Sequence, residues 1–172
     1  KNKKNLGYTK NILNGMKYIL KKLPKYDYIL TMDADGEHKI SNIKRIINSL
    51  QINSKASMII GVRDKKNRYI ETIISKLFNY KYNILDPLSG FKIYKKNFLE
   101  KFIKKISTNF FLVDFICYAL SNKKTISFQK IKVSKRSDTS RIGNVFSSNL
   151  KISSCLKLLF YDLNKFEYKK YQ

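Results

Sequence analysis

Helical segments alternate with short apolar strands through the first half of the chain, and this alternation most constrains the fold. Two runs, Tyr28–Met32 and Ala56–Val62, are rich in apolar and β-branched residues without regular polar alternation, as in strands buried on both faces. Around them, apolar residues recur three and four positions apart, which predicts amphipathic helices. These helical stripes run over Ile12–Leu23, Ile43–Leu50 and Ile70–Phe78. The pattern predicts an α/β fold with a mostly parallel sheet and helices on both faces.

The second half adds shorter elements and a basic C-terminal segment. A strand is predicted over 91–94, a helix begins at Asn97, another covers 113–121, and a strand over 126–133 shows one slip in its alternation, which predicts a bulge. Residues 145–166 mix apolar side chains with lysines, which predicts a basic amphipathic helix. Such a helix either contacts an anionic membrane surface or packs on the domain's own core. We expect a catalytic domain at 1–144 and this helix at 145–172.

Charge and composition limit the function classes. The 172 residues include 36 Lys and Arg against 12 Asp and Glu, a formal net charge of +24, and 43% are hydrophobic, as in a globular domain. The excess favours a polyanionic partner, although a general abundance of Lys, Asn and Ile also explains many lysines as solvated surface. A nucleic-acid-binding module is the rival interpretation, but the basic residues are scattered and no reading motif is present, so no nucleic acid is expected as a partner.

Other sequence signals are weaker. No apolar stretch reaches the roughly 18 residues that a membrane-spanning helix needs. Cys117 and Cys155 lie in apolar contexts without metal-ligand spacing, which predicts buried free thiols in a reducing compartment.

The sharpest motif is Asp33-Ala34-Asp35-Gly36, directly after the first predicted strand. Two carboxylates at i and i+2 of an extended chain point to the same side, at the strand end where open α/β sheets bind ligands. Like charges this close repel unless a cation lies between them, and oxygen ligands favour Mg²⁺ or Mn²⁺. A solvated turn is an equally simple interpretation, since Asp and Gly are ordinary turn residues. His38 is less suited as a metal ligand.

Several motifs in the same order resemble those of the family 2 glycosyltransferases, which have the GT-A (Rossmann-like) fold. They are Asn5-x-Gly7 with Gly15, Asp33-Ala34-Asp35 with Gly36-Glu37-His38, Ile60-Gly61-Val62-Arg63, Asp86-Pro87-Leu88-Ser89-Gly90-Phe91-Lys92, and Arg136 with Ser140-Arg141. Within the family, the set is most similar to the polyprenyl-phosphate (dolichol-phosphate sugar synthase-like) branch.

The resemblance implies a role for each matching residue. Asp33 and Asp35 would bind the metal and the donor diphosphate, with Glu37 near the metal. The remaining implied ligands of donor or phosphate are Arg63, Ser89, Gly90, Arg136 and Arg141. Asp86 would shape the loop beneath the sugar and acceptor and is, with Asp114, a candidate catalytic residue. Asp114 lies near the position of the family's catalytic acid, although a residue at a helix N-terminus is also favoured by the helix dipole. Turn or strand-end roles remain open for Asp86, Ser89, Gly90 and Arg63.

The chain also departs from the family pattern. The late element around Arg136 is one residue shorter and lacks a Gly, and nothing before Asn5 matches the strand and acidic residue that read the nucleotide base. We therefore expect an N-terminally truncated family member, or a non-catalytic remnant of one.

The expected activity is a metal-dependent, inverting transfer of sugar from a nucleotide-diphosphate donor to a polyprenyl-phosphate or saccharide acceptor. It would take place on the cytoplasmic face of a membrane, with the protein bound peripherally. A phosphate acceptor is already an anion, whereas a hydroxyl acceptor needs a carboxylate base such as Asp114.

Overall fold

The computed structural model describes residues 6–23, 25–134, 145–161 and 163. In chain order the elements are α1 (Tyr8–Lys22), β1 (Tyr28–Thr31), α2 (Ile40–Ile52), β2 (Met58–Arg63), α3 (Tyr69–Tyr82), β3 (Lys92–Lys95), α4 (Lys96–Phe102), a 3₁₀ turn (Ile103–Lys105), α5 (Asp114–Ser121), β4 (Ile126–Ile131), α6 (Val145–Ser153) and a 3₁₀ helix (Ser154–Phe160). The helix–strand alternation predicted from the sequence is confirmed.

The four strands form one sheet in the order β1-β3-β2-β4. Strand β3 runs antiparallel to both of its neighbours, whereas β2 and β4 are parallel. Strands β1, β2 and β4 therefore point the same way, and β3 alone runs against them. As a result, the carboxyl ends of β1 and β2 lie at the same edge of the sheet as the beginning of β3. The predicted mostly parallel sheet is confirmed.

Both faces of the sheet are covered, which explains why its strands lack polar alternation. Ile29, Met58 and Ile60 join a large apolar cluster with α1, α3, α4, α5 and the C-terminal segment. Ile59 and Ile93 face the other side and pack with Ile46 and other residues of α2 and its flanks. Every strand therefore places apolar side chains on each face.

The bulge predicted in β4 is wrong. The strand pairs with β2 in unbroken register from Met58↔Ile126 to Arg63↔Ile131. Ile126 and Phe128 contact the large cluster, and Ile131 belongs to the smaller one. The apparent slip in alternation arises because both faces of this strand receive apolar side chains.

The C-terminal segment does not form the single amphipathic helix that was predicted. Helix α6 ends at Ser153 and a 3₁₀ helix follows. Ile152 of α6 and Cys155 and Leu158 of the 3₁₀ helix are all buried in the large cluster. The three-residue spacing of a 3₁₀ helix places Cys155 and Leu158 on the same side of it. The segment therefore packs on the domain's own core. Leu150 and Phe160 remain exposed.

The cysteines and the helix lengths relate to two further expectations from the sequence. Cys117 and Cys155 are buried and free, as predicted. Within the ranges the structure describes, no helix combines the length and the apolar character needed to cross a bilayer.

Candidate functional site

The site forms where the carboxyl end of β1 meets the loop that leads into β3. The register of these strands pairs Thr31 with Lys92. The Thr31 hydroxyl donates a hydrogen bond to the Gly90 carbonyl at 2.9 Å. This contact ties the end of β1 to the 86–90 loop and brings Asp33, two residues beyond Thr31, over the backbone of Gly90.

Asp33 lies in a position that only a glycine beneath it permits. A Cβ atom built on Gly90 would fall 2.3 Å from Asp33 Oδ2 and 2.6 Å from its Cγ, far inside van der Waals contact. The Asp33 side chain nevertheless keeps 31% of its surface exposed. Gly90 therefore limits the position of the Asp33 side chain on one side, and its exposed part is accessible to a ligand.

The surroundings of Asp33 favour its charged form. Its Oδ2 lies 3.7 Å from Nε2 of His38, whose ring packs 5.0 Å from that of Phe91. Burial alone would raise the pKa of Asp33, but the contact with His38, its charge and the Tyr8 hydroxyl outweigh burial and lower this pKa. The pKa of Tyr8 is raised by burial and then by Asp33. Asp33 thus presents a stable negative charge at the sheet edge.

Asp35 and Glu37 each form hydrogen bonds within or beside the motif. Asp35 Oδ1 accepts a hydrogen bond from the Glu37 backbone N–H at 3.2 Å, as in a turn stabilised by an Asp side chain. Glu37 is buried, and its Oε1 accepts a hydrogen bond from Asn67 at 2.6 Å. In the described part of the chain, no group of three or more His, Cys, Asp or Glu residues is placed to hold a metal ion. Asp33 and Asp35 therefore remain the candidate metal ligands, and Glu37 connects the motif to the loop after β2.

Arg63, at the end of β2, points into the protein and is 8% exposed. Its Nε and Nη2 donate to the two carboxylate oxygens of Asp86 at 2.9 and 3.0 Å, and its backbone N–H also donates to Asp86 at 3.1 Å. Nη1 lies 2.9 Å from Glu71. Burial alone would lower the pKa of Arg63, but Asp86 and then Glu71 outweigh it and raise the pKa. This bidentate pair holds the beginning of the 86–90 loop.

Glu71 was not identified from the sequence. It lies on the inner face of α3 with Ile74, Ser75 and Phe78, all of them buried, and it pairs with Arg68 at 3.2 Å as well as with Arg63. A carboxylate in line with apolar residues at spacings of three and four was the available signal, because buried carboxylates require charged partners.

Hydrogen bonds from Phe91 and Lys92, which directly follow the 86–90 loop, also stabilise it. The Ser89 hydroxyl accepts a hydrogen bond from the Phe91 N–H at 3.2 Å. Lys92 is buried, and its Nζ donates to the Pro87 carbonyl at 2.7 Å. Burial lowers the pKa of Lys92 to about 8, against the opposing attraction of Asp86. Lys92 is part of the motif quoted from the sequence, but no role was predicted for it, since a lysine in a strand normally indicates a solvent-facing position.

Asp114 lies in the first turn of α5 and is fully buried. Its Oδ2 accepts a hydrogen bond from the Ser107 backbone N–H at 2.6 Å. Burial is the main reason that its pKa rises to about 7, and the hydrogen bond from Ser107 and then the charge of Lys92 lower it only in part. The carboxylate therefore anchors the turn at 107–113, in which Phe111 and Leu112 have φ angles of 49° and 64°.

Comparison with known proteins decides the family. Residues 1–102 match the model described as glycosyl transferase family 2. The chain belongs to glycosyl transferase family 2. An uncharacterised protein of Methanocaldococcus jannaschii is 29% identical over 136 residues, which cover 72% of this chain and 58% of that protein.

Solved structures of glucosyl-3-phosphoglycerate synthase from Mycobacterium tuberculosis share the fold. One, in complex with Mn²⁺, uridine diphosphate and phosphoglyceric acid, has a TM-score of 0.68 at 9% identity and matches 92% of this chain but 56% of its own. Another, with Mn²⁺, UDP-glucose and phosphoglyceric acid, has a TM-score of 0.66 at 10% identity and matches 90% of this chain but 55% of its own. The expected GT-A fold is confirmed, and this chain spans little more than half the length of these relatives.

The family 2 match includes the sheet-edge residues and ends before α5. Asp33, Arg63, Asp86 and Gly90 lie inside the matched region, and Asp114 lies beyond it. Arg136 and Arg141, the predicted late phosphate ligands, lie outside the residues that the structure describes. The structure thus brings Asp33 to Gly90 and Arg63 to Asp86, and it places Asp114 beneath a neighbouring turn.

Proposed function

We propose that this chain is the catalytic part of a metal-dependent, inverting glycosyltransferase that takes its sugar from a nucleotide-diphosphate donor. The observation that carries the proposal is the Asp33 carboxylate, which is accessible, has a lowered pKa and lies against Gly90 at the ligand-binding edge of the sheet. A solvated turn would need neither the close approach to Gly90 nor the contact with His38.

The donor set fits a divalent cation that shares its ligands with the substrate. Asp33 and Asp35 would hold Mg²⁺ or Mn²⁺ through carboxylate oxygens. Mg²⁺ in particular is commonly bound by one or two carboxylates together with substrate phosphates, so a third protein ligand such as Glu37 is not required. When bound, the ion supplies positive charge that stabilises the diphosphate leaving group. The Mycobacterium tuberculosis synthase binds Mn²⁺ together with uridine diphosphate, which supports the same donor chemistry here.

The residues around Asp33 would position the donor sugar. Arg63 is engaged with Asp86 and Glu71, so we assign it to holding the 86–90 loop and not to direct phosphate binding. Ser89 and Gly90 shape that loop beneath the sugar. A rigid loop matters because misplacement of the reacting groups by about 1 Å can cost on the order of 100-fold in rate.

The acceptor is proposed to be a polyprenyl phosphate, with a saccharide as the alternative. A phosphate acceptor attacks as an anion and needs no base. A saccharide hydroxyl would need Asp114, whose pKa of about 7 lies near the value suited to a general base at neutral pH. In the structure Asp114 is buried beneath the 107–113 turn, an arrangement that favours the phosphate acceptor.

We place the enzyme peripherally on the cytoplasmic face of a membrane. The C-terminal segment leaves Leu150 and Phe160 exposed, near Lys151 and Lys157 in sequence. Exposed apolar and basic side chains together favour contact with anionic lipid headgroups.

Calorimetric titration tests the donor proposal. UDP-glucose and GDP-mannose would each be titrated into the chain with Mn²⁺ and then with EDTA. We expect binding of one donor that EDTA abolishes and that Asp33→Asn or Asp35→Ala weakens by about tenfold or more, as for loss of charge-assisted contacts. Asp27→Asn, an exposed acidic residue just before β1, is the matched control and should leave binding unchanged. Binding that is independent of metal, or equal in Asp33→Asn and Asp27→Asn, would refute the mechanism.

A further inference from the structure

A cavity of about 700 Å³ lies between the turn that precedes α5 and the C-terminal segment. Its walls include Asn109, Phe110, Phe111, Lys151, Lys157 and Tyr161. Ligand sites for small molecules have volumes of roughly 300–1,000 Å³, so this cavity is large enough for a small organic molecule.

The two walls of the cavity are joined by hydrogen bonds. The Ser154 hydroxyl donates to the Asn109 carbonyl at 2.9 Å, and the Cys155 thiol donates to the Phe110 carbonyl at 3.4 Å. The turn is anchored in addition by Asp114, which accepts the Ser107 N–H. These contacts keep the C-terminal segment and the turn at a defined separation.

The residues that line the cavity favour an organic ligand that carries an anionic group. Lys151 and Lys157 both line the cavity and are exposed, and no carboxylate belongs to its described lining. Neither lysine forms a salt bridge with any residue in the described part of the chain. Phe111 and Tyr161 contribute aromatic rings to the same lining. Two ammonium groups beside aromatic rings suit a phosphate monoester, whose anionic group needs cations and whose carbon skeleton needs apolar contact.

The cavity is adjacent to the donor side of the site. The ring of Phe111 packs 6.2 Å from the ring of Tyr8, and the Tyr8 hydroxyl hydrogen-bonds to Asp33. One pair of aromatic rings therefore separates the lysine-lined cavity from the proposed metal ligand.

We propose that this cavity is the acceptor subsite and that Lys151 and Lys157 bind the phosphate group of a phosphate-monoester acceptor. This inference rests on the proposed function, and it locates the phosphate group of the acceptor at Lys151 and Lys157. A prenyl phosphate and a small soluble phosphate monoester share this recognition chemistry.

Direct binding, without donor, tests the subsite. Geranyl phosphate and glycerol 3-phosphate would be titrated calorimetrically into the chain and into Lys151→Gln/Lys157→Gln. The matched control is Lys44→Gln/Lys55→Gln, which removes the same charge from exposed positions on and just after α2, the helix that packs on the opposite face of the sheet. We expect at least one phosphate monoester to bind and the first double variant to weaken it about tenfold or more, with the control within about twofold. Thermal unfolding of each variant would verify that it is folded.

The two probes distinguish a lipid acceptor from a soluble one, and a separate nucleotide titration distinguishes the subsite proposal from the proposed function. Binding of geranyl phosphate alone assigns the subsite to a lipid acceptor, and binding of glycerol 3-phosphate assigns it to a soluble one. Equal loss in both double variants, or no binding of either probe, would overturn the subsite. Binding of uridine and guanosine diphosphates with Mn²⁺, measured on the same samples, tests the donor site separately. Failure of nucleotide binding with intact lysine-dependent phosphate binding would contradict the proposed function alone.

Discussion

Gly90→Ala should impair the site while leaving the fold intact. The φ angle of Gly90 lies outside the left-handed region, so alanine fits the backbone. The new Cβ would lie 2.3 Å from Asp33 Oδ2, whereas ordinary contact begins at 3.4 Å, and the carboxylate must therefore move by about 1 Å (3.4 − 2.3). Because the Asp33 side chain is 31% exposed, it can make this movement toward solvent. A misplacement of about 1 Å at a reacting centre costs on the order of 100-fold in rate.

The expected result is a loss of metal-dependent donor binding, and of turnover with it, at nearly unchanged stability. Replacing Gly by Ala at a compatible position stabilises a protein by about 0.4–1 kcal/mol through the unfolded chain, which offsets part of the cost of moving Asp33. Donor titration and urea unfolding would be measured on the same preparation. Gly15→Ala, where a Cβ meets nothing within 4 Å, is the control and should leave donor binding unchanged. Donor binding in Gly90→Ala within about twofold of the original chain would refute the role assigned to this contact.

Three further predictions concern stability and pH. Gly61→Ala should destabilise the chain by about 1–3 kcal/mol in urea unfolding, because its Cβ would lie 2.9 Å from a ring carbon of Phe91 and 3.0 Å from the Phe91 carbonyl oxygen; no change would contradict this packing. Glu71→Gln should cost about 1–3 kcal/mol, because buried N–H groups of Arg63 lose their charged acceptor while its pair with Asp86 remains; a cost near zero, as for an exposed ion pair, would contradict this contact. Asp114 has a raised pKa of about 7, so the folded state binds its proton more tightly than the unfolded state does. The original chain should therefore lose up to about 4 kcal/mol of stability relative to Asp114→Asn as pH rises from about 4 to 7. A difference between the two proteins that does not change with pH would refute the raised pKa.

Much of the fold follows from local pattern. The apolar spacing predicted α1, α2 and α3, and the unbroken apolar runs predicted β1 and β2 within a few residues of the observed ends. The position of Asp33 after a buried strand predicted that it lies at the edge where open α/β sheets bind ligands. Such features are readable because helix and strand periodicity depend on neighbours only a few residues apart.

The partners of buried charges could not be predicted in the same way. Arg63, at the end of a strand, has the sequence context of a residue that reaches solvent, yet it lies between Asp86 and Glu71. Lys92 is buried against the Pro87 carbonyl. Glu37 is buried and accepts a hydrogen bond from Asn67. Each of these outcomes depends on which distant segment supplies a counter-charge or carbonyl, and no local pattern encodes that choice.

The amino-acid sequence alone therefore determined the class of fold, the order of its elements and the motif that identifies the edge of the sheet where Asp33 lies. Only the tertiary structure decided which of the predicted residues face that edge, that Arg63 supports a loop, and that the C-terminal segment closes a cavity with the 108–111 turn. The physical reason is the separation along the chain of the residues that interact. Periodicity and turn chemistry act over a few bonds, whereas the contacts of Gly90 with Asp33 and of Ser154 with Asn109 join residues 57 and 45 positions apart (90 − 33 and 154 − 109), and folding alone brings them together.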